Sequence, residues 1–266
     1  MKTSSFGHMT IWPYAHVFLF SKTSCVYHGY VSNPAPQKPR RKKRSDSGRV
    51  ILTPRDLALL KWMGEQYAIR FDHLQVLATK YSEGRREKVL GYQAVYGVSS
   101  RWVKLGLVER KKIFVGHPMW LWLTKKGLET AGLEHPYKVP AISRFAHIHA
   151  VNSVRLHVEA KRGDGIRWIC EREANALRKE EGQIHLIDGL VEDLSDGEIV
   201  GVEVELTQKR QTRLDSILRE LRANYKSVWY FASDEAYSAV ESAIKRVPNH
   251  DEEETFILYR LSSIMY

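Results

Sequence analysis

Cysteine is almost absent from this chain of 266 residues: Cys25 and Cys170 are far apart and lack metal-ligand spacing. A disulfide framework or a thiolate zinc site is therefore not expected, and this cysteine usage favours a reducing cytoplasmic location. Long apolar runs are lacking as well, since no segment approaches the roughly 18 residues needed to cross a bilayer. The apolar patch at 11–20 is interrupted by Pro13 and His16, which disfavours a signal peptide.

Acidic residues are the minority charge, with 31 Asp and Glu against 41 Lys and Arg, a formal net charge of +10. An excess of this sign indicates a polyanionic partner, either nucleic acid or an anionic membrane surface. Much of the excess lies in residues 36–50, within the predicted disordered extension and basic linker 1–50. This segment includes a run of five basic residues: Arg40, Arg41, Lys42, Lys43 and Arg44. Such a run is usually a solvated arm; its functional interpretation is an arm that neutralises DNA phosphates.

Residues 51–136 have the pattern of a small DNA-binding domain. Thr53 and Pro54 predict a helix start, because a hydroxyl N-cap is followed by proline at the first helical position. Further helices are predicted at 71–81 and 89–104, then strands at 107–115 and 119–124 and a closing helix at 125–132. Three helices followed by a β-hairpin is the order of a winged helix-turn-helix, which places its third helix in the DNA major groove.

Five basic residues fall on the predicted third helix and hairpin: Arg101, Lys104, Arg110, Lys111 and Lys112. We expect them to contact DNA, with Arg101 contributing to sequence preference. The alternative is a protein-docking module whose lysines only add solubility. Trp120 and Trp122 are expected on a strand face or at a domain interface, and a base-stacking role for them is disfavoured.

Residues 140–266 predict a second domain. A helix at 144–161 is followed by strands at 165–173, 185–193 and 198–206, a helix at 210–225 and a strand at 227–233. This αβββαβ order is the core of the PD-(D/E)xK nuclease-like fold. A further helix at 235–246 and a strand near 255–260 end the pattern. The predicted fold class is α+β, with a winged helix ahead of the nuclease-like domain.

Three acidic residues stand where that fold places its catalytic carboxylates. Asp188 is expected on the second strand, and Glu203 and Glu205 point to one face of the third because strand side chains alternate. Converging carboxylates predict a Mg²⁺ site that activates water, with Lys209 at the scissile phosphate. Acidic residues between valines are also typical of any half-exposed antiparallel strand.

Two positions depart from the nuclease motif. Ile187 stands where the motif has proline, which is a minor change. Glu205 stands where the motif has its lysine, which is a more serious departure, although some active members have glutamate there; Lys209 is the candidate substitute.

Several segments together resemble the replication-relaxation family of plasmids and mobile elements, over about residues 50–245. They are LTPRDLALLKWM, WVKLGLVER with LWLTKKGLETAG, FAHIHAVNSVRLHVEA, and IDGLV with GVEVELTQKRQTRLDSILRELRANY. The resemblance implies a DNA-binding protein of plasmid replication or relaxation, with a winged helix joined to a nuclease-like domain. Asp188, Glu203 and Glu205 match its acidic positions, and Lys209 and Tyr225 match its following helix region.

Tyr225 is not favoured as a relaxase nucleophile, because no histidine-rich metal motif accompanies it. His147, His149 and His157 share one predicted helix, where core or surface positions are expected and metal ligation is not.

The sequence leaves three functions open: a DNA-binding protein of plasmid or mobile-element replication, a Mg²⁺-dependent endonuclease or nickase, and a winged-helix transcriptional regulator whose second domain dimerises. Double-stranded DNA is the expected partner in all three, and no membrane association is expected. A second copy of the chain, or a replication or mobilisation protein, is left open as a further partner.

Overall fold

The computed structural model of the chain describes residues 51–82, 89–178, 185–247 and 255–264. The sequence predictions for residues 1–50, including the basic run from Arg40 to Arg44, lie outside these ranges. The described part is of the mixed α+β class, with eight α-helices and two β-sheets.

The first helix, α1 (Pro54–Glu65), begins where the sequence predicts. The Thr53 hydroxyl accepts a hydrogen bond from the Asp56 backbone N–H at 3.2 Å, and the Asp56 carboxylate accepts one from the Thr53 N–H at 2.9 Å. This reciprocal capping satisfies two backbone donors that a helix start otherwise leaves without partners.

The N-terminal half (residues 51–136) has this element order: α1, β1 (Ile69–Arg70), α2 (Phe71–Lys80), α3 (Tyr92–Lys104), β2 (Val108–Lys111), β3 (Trp120–Leu123) and α4 (Lys125–Thr130). The strands form an antiparallel sheet in the order β1-β3-β2. Leu60, Leu74 and Trp102, from the three helices, meet in its core. The hairpin's first strand ends at Lys111, whereas the sequence predicts it to continue to Val115.

The C-terminal half (residues 140–264) has this element order: α5 (Phe145–Arg162), β4 (Ile166–Cys170), α6 (Glu171–Arg178), β5 (Gly189–Asp193), β6 (Ile199–Glu205), α7 (Gln211–Asn224), β7 (Ser227–Ala232), α8 (Asp234–Arg246) and β8 (Phe256–Arg260). One sheet contains all these strands in sequence order. Strands β4, β5 and β6 pair antiparallel, whereas β6, β7 and β8 pair parallel, with α7 and α8 as the crossover helices.

The predicted strand 165–173 extends three residues beyond the end of β4. Cys170 pairs with Gly189 at the end of the β4–β5 ladder, and helix α6 starts at the next residue. Glu171 and Glu173 lie in the first turn of α6, where acidic side chains stabilise the positive end of the helix dipole.

The larger sheet is covered on both faces. Val202 and Val204 point to the side that packs against α5. Glu203 and Glu205 alternate with them, as the sequence predicts, and therefore lie on the opposite side, where Tyr230 packs with residues of α7 and α8. The two glutamates are consequently carried into a covered face of the sheet.

Helix α5 joins the two halves, and the described residues form one compact unit. The Asn152 side chain donates a hydrogen bond to the Ala68 carbonyl at 2.9 Å, and the Phe145 ring lies 4.6 Å from the Trp120 ring between centroids. Trp120 therefore packs against α5 from its place on strand β3. Within the described ranges, no helix has the length and apolar character required to span a membrane.

Candidate functional site

The three predicted acidic residues, which we call the carboxylate cluster (Asp188, Glu203 and Glu205), are all buried. Asp188 precedes strand β5 rather than lying on it, which corrects the sequence prediction. Its Oδ2 accepts a hydrogen bond from the Val204 backbone N–H at 2.8 Å, and this contact fixes the carboxylate against strand β6.

The other oxygen of Asp188 is engaged by His147, a residue of helix α5. His147 Nε2 lies 2.6 Å from Asp188 Oδ1. Burial of the imidazole disfavours its charged form, but the hydrogen bond and the negative charge of Asp188 outweigh this and raise the pKa of His147. The sequence expectation of an ordinary core or surface histidine missed this contact with a candidate catalytic residue.

Glu203 has a histidine neighbour as well. His185 Nε2 lies 3.1 Å from Glu203 Oε1, a contact without the alignment of a good hydrogen bond. Burial, followed by the nearby charge of Asp188, raises the pKa of Glu203 to about 7. Its Oε2 has no hydrogen-bond partner among the described residues.

Glu205 and Lys209 form an ion pair at the end of β6. Oε1 of Glu205 also accepts a hydrogen bond from the Thr207 N–H at 3.3 Å. Burial lowers the pKa of Lys209, although the charges of Glu203 and Asp188 oppose this shift. Lys209 therefore has Glu205 as its direct partner, whereas the sequence prediction places it at a scissile phosphate.

The fit of a Mg²⁺ ion to this cluster can be judged from the contacts of its oxygens. Carboxylates are the ligands Mg²⁺ prefers, but the ion demands several oxygens in a regular octahedron. Both oxygens of Asp188 accept hydrogen bonds, and Glu205 is paired with an ammonium group. Within the described ranges, no group of three or more His, Cys, Asp or Glu side chains is arranged to hold a metal ion. The observed arrangement does not fit the predicted three-carboxylate site.

The five residues predicted to contact DNA have different surroundings in the structure. Arg101 donates a hydrogen bond to Asp56, which is fully buried, at 3.1 Å. The Trp102 indole donates to the same Asp56 oxygen at 3.1 Å. Arg101 thus ties α3 to the start of α1, a role that the sequence pattern did not reveal.

Arg110 lies against helix α3. Its guanidinium carbon is 4.0 Å from the centre of the Tyr96 ring, and its Nη1 donates to the hydroxyls of Ser99 at 2.8 Å and Ser100 at 3.1 Å. Lys111 pairs with Glu109 at 3.1 Å. The side chains of Lys104 and Lys112 are exposed and have no ion-pair partner in the described part of the chain.

The solvent side of α3 carries no acidic residue. We call it the α3 face, and it consists of these residues: Gln93, Tyr96, Gly97, Ser100 and Lys104. A Cβ atom built on Gly97 would meet no described atom within 4 Å, and the backbone there is ordinary helix. Neither packing nor backbone conformation within the described structure therefore requires glycine at position 97. The sequence shows a glycine within the predicted helix, but it does not show that this glycine lies on the solvent side of α3.

The loop between β2 and β3 extends beyond the sheet. Val115 at its tip is 95% exposed, whereas the Phe114 ring packs edge-on against Phe145 at a centroid distance of 6.3 Å. Trp122 is buried within its strand, which agrees with the strand-face expectation. The loop tip at Val115 is thus exposed to solvent, next to the buried strand β3.

No protein-family model matches this chain, and no curated protein is significantly similar to it.

Proposed function

We propose that this protein binds double-stranded DNA through its N-terminal half, with helix α3 entering the major groove and the β2–β3 hairpin following the backbone. The order of helices and strands in residues 51–136 supports a winged-helix assignment. The order and pairing of the larger sheet similarly support a nuclease-like αβββαβ core for the other half. A role in plasmid or mobile-element replication rests on the sequence resemblance alone.

The α3 face is the observation on which the proposal depends. A helix presented to DNA needs an exposed side free of negative charge, and α3 has no acidic residue along its whole length. Gln93 and Ser100 supply the uncharged hydrogen-bonding groups that base edges recognise, and Lys104 supplies a cation for phosphate.

Gly97 adds a second line of support. Glycine inside a helix costs about 1 kcal/mol relative to alanine. No described atom of the protein lies close enough to Gly97 to require glycine there. A partner that approaches the helix backbone closely would explain the residue. Duplex DNA matches the charge of the surroundings, which include Lys104, Arg110 and Lys112.

A binding titration tests the proposal. A fluorescently labelled random-sequence duplex is mixed with the full chain at a series of salt concentrations. Binding that weakens steadily with salt is expected, since each neutralised phosphate releases condensed counterions. The absence of binding at low salt would contradict the proposal.

Strand cleavage by the C-terminal half is the alternative function, and the pairing of Asp188 and Glu205 argues against it. Incubation of the full chain with supercoiled plasmid and Mg²⁺ or Mn²⁺ separates the two functions. Nicking that is lost in Asp188→Ala and Glu203→Ala would establish a nuclease. Tight binding without nicking is the result expected of a DNA-binding protein.

A further inference from the structure

The nitrogen groups that contact the carboxylate cluster come from separate parts of the C-terminal half. His147 belongs to α5, His185 precedes β5, and Lys209 follows β6. We infer that these groups occupy the position a divalent cation would take, so that the cluster anchors α5 to the sheet and binds no Mg²⁺ or Mn²⁺.

Asp188 provides the strongest geometric support. One of its oxygens is held by the Val204 N–H at 2.8 Å and the other by His147 at 2.6 Å. A metal ion at Asp188 would have to displace His147 or share an oxygen with it. Glu205, another predicted metal ligand, is paired with the Lys209 ammonium group. The positive charge of this group repels a divalent cation.

Anchoring α5 matters because this helix carries contacts to both halves. His147, near its start, reaches the sheet through Asp188. Further along the helix, the Asn152 side chain donates a hydrogen bond to the Ala68 carbonyl at 2.9 Å, and Arg155 pairs with Glu65 at 2.8 Å. The His147–Asp188 contact therefore fixes the sheet to the same helix that holds the N-terminal half.

Buried carboxylates need such partners in any case. An uncompensated charge buried on a covered face of a sheet is strongly destabilising, and it is tolerated when hydrogen bonds or opposite charges surround it. For Asp188 and Glu205, nitrogen groups of the chain meet this need directly. The inference does not depend on DNA binding, and its test can be read without DNA.

The test is thermal unfolding of the full chain with MgCl₂ or MnCl₂, against KCl of equal ionic strength. The wild type should show no divalent-specific change in melting temperature. His147→Ala should gain one, because Asp188 Oδ1 is released. A ligand at a hundredfold excess over its dissociation constant raises the melting temperature of a domain this size by about 5 °C or more. The matched control is His157→Ala, on the same helix and without a carboxylate contact in the described structure.

A wild-type shift that is lost in Asp188→Asn would overturn the inference, because the cluster would then bind the ion. A shift that persists in Asp188→Asn and Glu203→Gln arises elsewhere and leaves the inference standing.

If neither the wild type nor His147→Ala nor Lys209→Ala responds, the nitrogen groups are not what keeps the ion out, and the inference is wrong. Loss of folding in His147→Ala but not in His157→Ala, with an unresponsive wild type, would support the anchoring role.

Discussion

Arg101 on helix α3 donates a hydrogen bond of 3.1 Å to the buried carboxylate of Asp56 at the start of α1. Burial opposes ionisation of Asp56, but its hydrogen bonds to Thr53 and the charge of Arg101 outweigh burial and lower its pKa. The same arginine was expected from the sequence to contribute to DNA sequence preference, so its two roles need to be separated.

Arg101→Ala should lower the free energy of unfolding by about 1 kcal/mol, a modest loss because Arg101 is partly exposed and Asp56 keeps its other hydrogen bonds. Urea denaturation measures the change. Lys104→Ala, three residues along the helix at an exposed position, is the control and should leave stability nearly unchanged. Equal stabilities for the two variants would refute the structural role of Arg101.

Gly97→Ala should make the protein more stable and, at the same time, a weaker DNA binder. Alanine favours the helix by about 1 kcal/mol, and its methyl group meets no described atom of the protein. The methyl group would instead obstruct a duplex lying against the α3 face. Melting temperature and binding affinity are measured on the same samples.

Ser238→Ala in α8 is the matched control, because it also raises helix propensity at an exposed position. It should stabilise the chain without affecting affinity. If wild type binds DNA and Gly97→Ala binds equally well, DNA does not approach the helix backbone at this residue.

The stacked pair His73 and His149 should make the protein sensitive to mild acid. Their ring centroids are 4.3 Å apart between α2 and α5. Burial is the main cause that lowers the pKa of His73 to about 3 and that of His149 to about 4. In mild acid these histidines are therefore protonated in the unfolded chain but not in the folded chain. The free energy of unfolding consequently declines as pH falls from 6.5 towards 4.

For His149, the lowered pKa corresponds to roughly 3 kcal/mol across that interval. His149→Phe keeps an aromatic ring at this position and should flatten the pH dependence of unfolding there. The measurement is urea denaturation at pH 7, 6, 5 and 4. An unchanged slope in the variant would show that His149 is not responsible. His147 behaves oppositely, since its raised pKa makes its contribution fade as pH rises above 6.5.

Arg155 should be among the residues most costly to replace. It is buried, it pairs with Glu65 at 2.8 Å and Glu159 at 2.7 Å, and it lies 4.5 Å from the centre of the Trp62 ring. Arg155→Met should destabilise the chain by about 3–5 kcal/mol, because the largely buried Glu65 loses this ion-pair partner and Glu159 is left with Lys80 and Trp62. Arg155→Lys keeps the charge but not the planar fork, and should lose less. Chemical denaturation of both variants gives the comparison, and a loss below about 1 kcal/mol in Arg155→Met would contradict this account.

Local signals in the sequence predicted most of the elements, and long-range contacts explain what they missed. The start of α1 depends on neighbours three residues apart, Thr53 and Asp56, so its sequence pattern was sufficient. Strand β1 has two residues, too few for any periodicity. Helix α6 was missed because its charged first turn follows a strand directly and resembles an exposed strand end.

In the candidate site, too, local features were predicted from the sequence and long-range contacts were not. Alternation along β6 predicted that Glu203 and Glu205 share a face, but it could not say which side chains would meet them. His147 is 41 positions away from Asp188, and Arg101 is 45 away from Asp56. Such pairings are set by how helices pack on the sheet, which hydrophobic periodicity does not specify.

The most direct test of DNA binding is a salt titration with the full chain and with a variant lacking residues 36–50. For each, the logarithm of the binding constant for a random-sequence duplex is plotted against the logarithm of salt concentration. The full chain should give a steep negative slope, and deletion should weaken binding and reduce the slope by about 0.9 for each phosphate that is no longer neutralised. Failure of the full chain to bind at low salt, or binding that does not change with salt, would contradict the account.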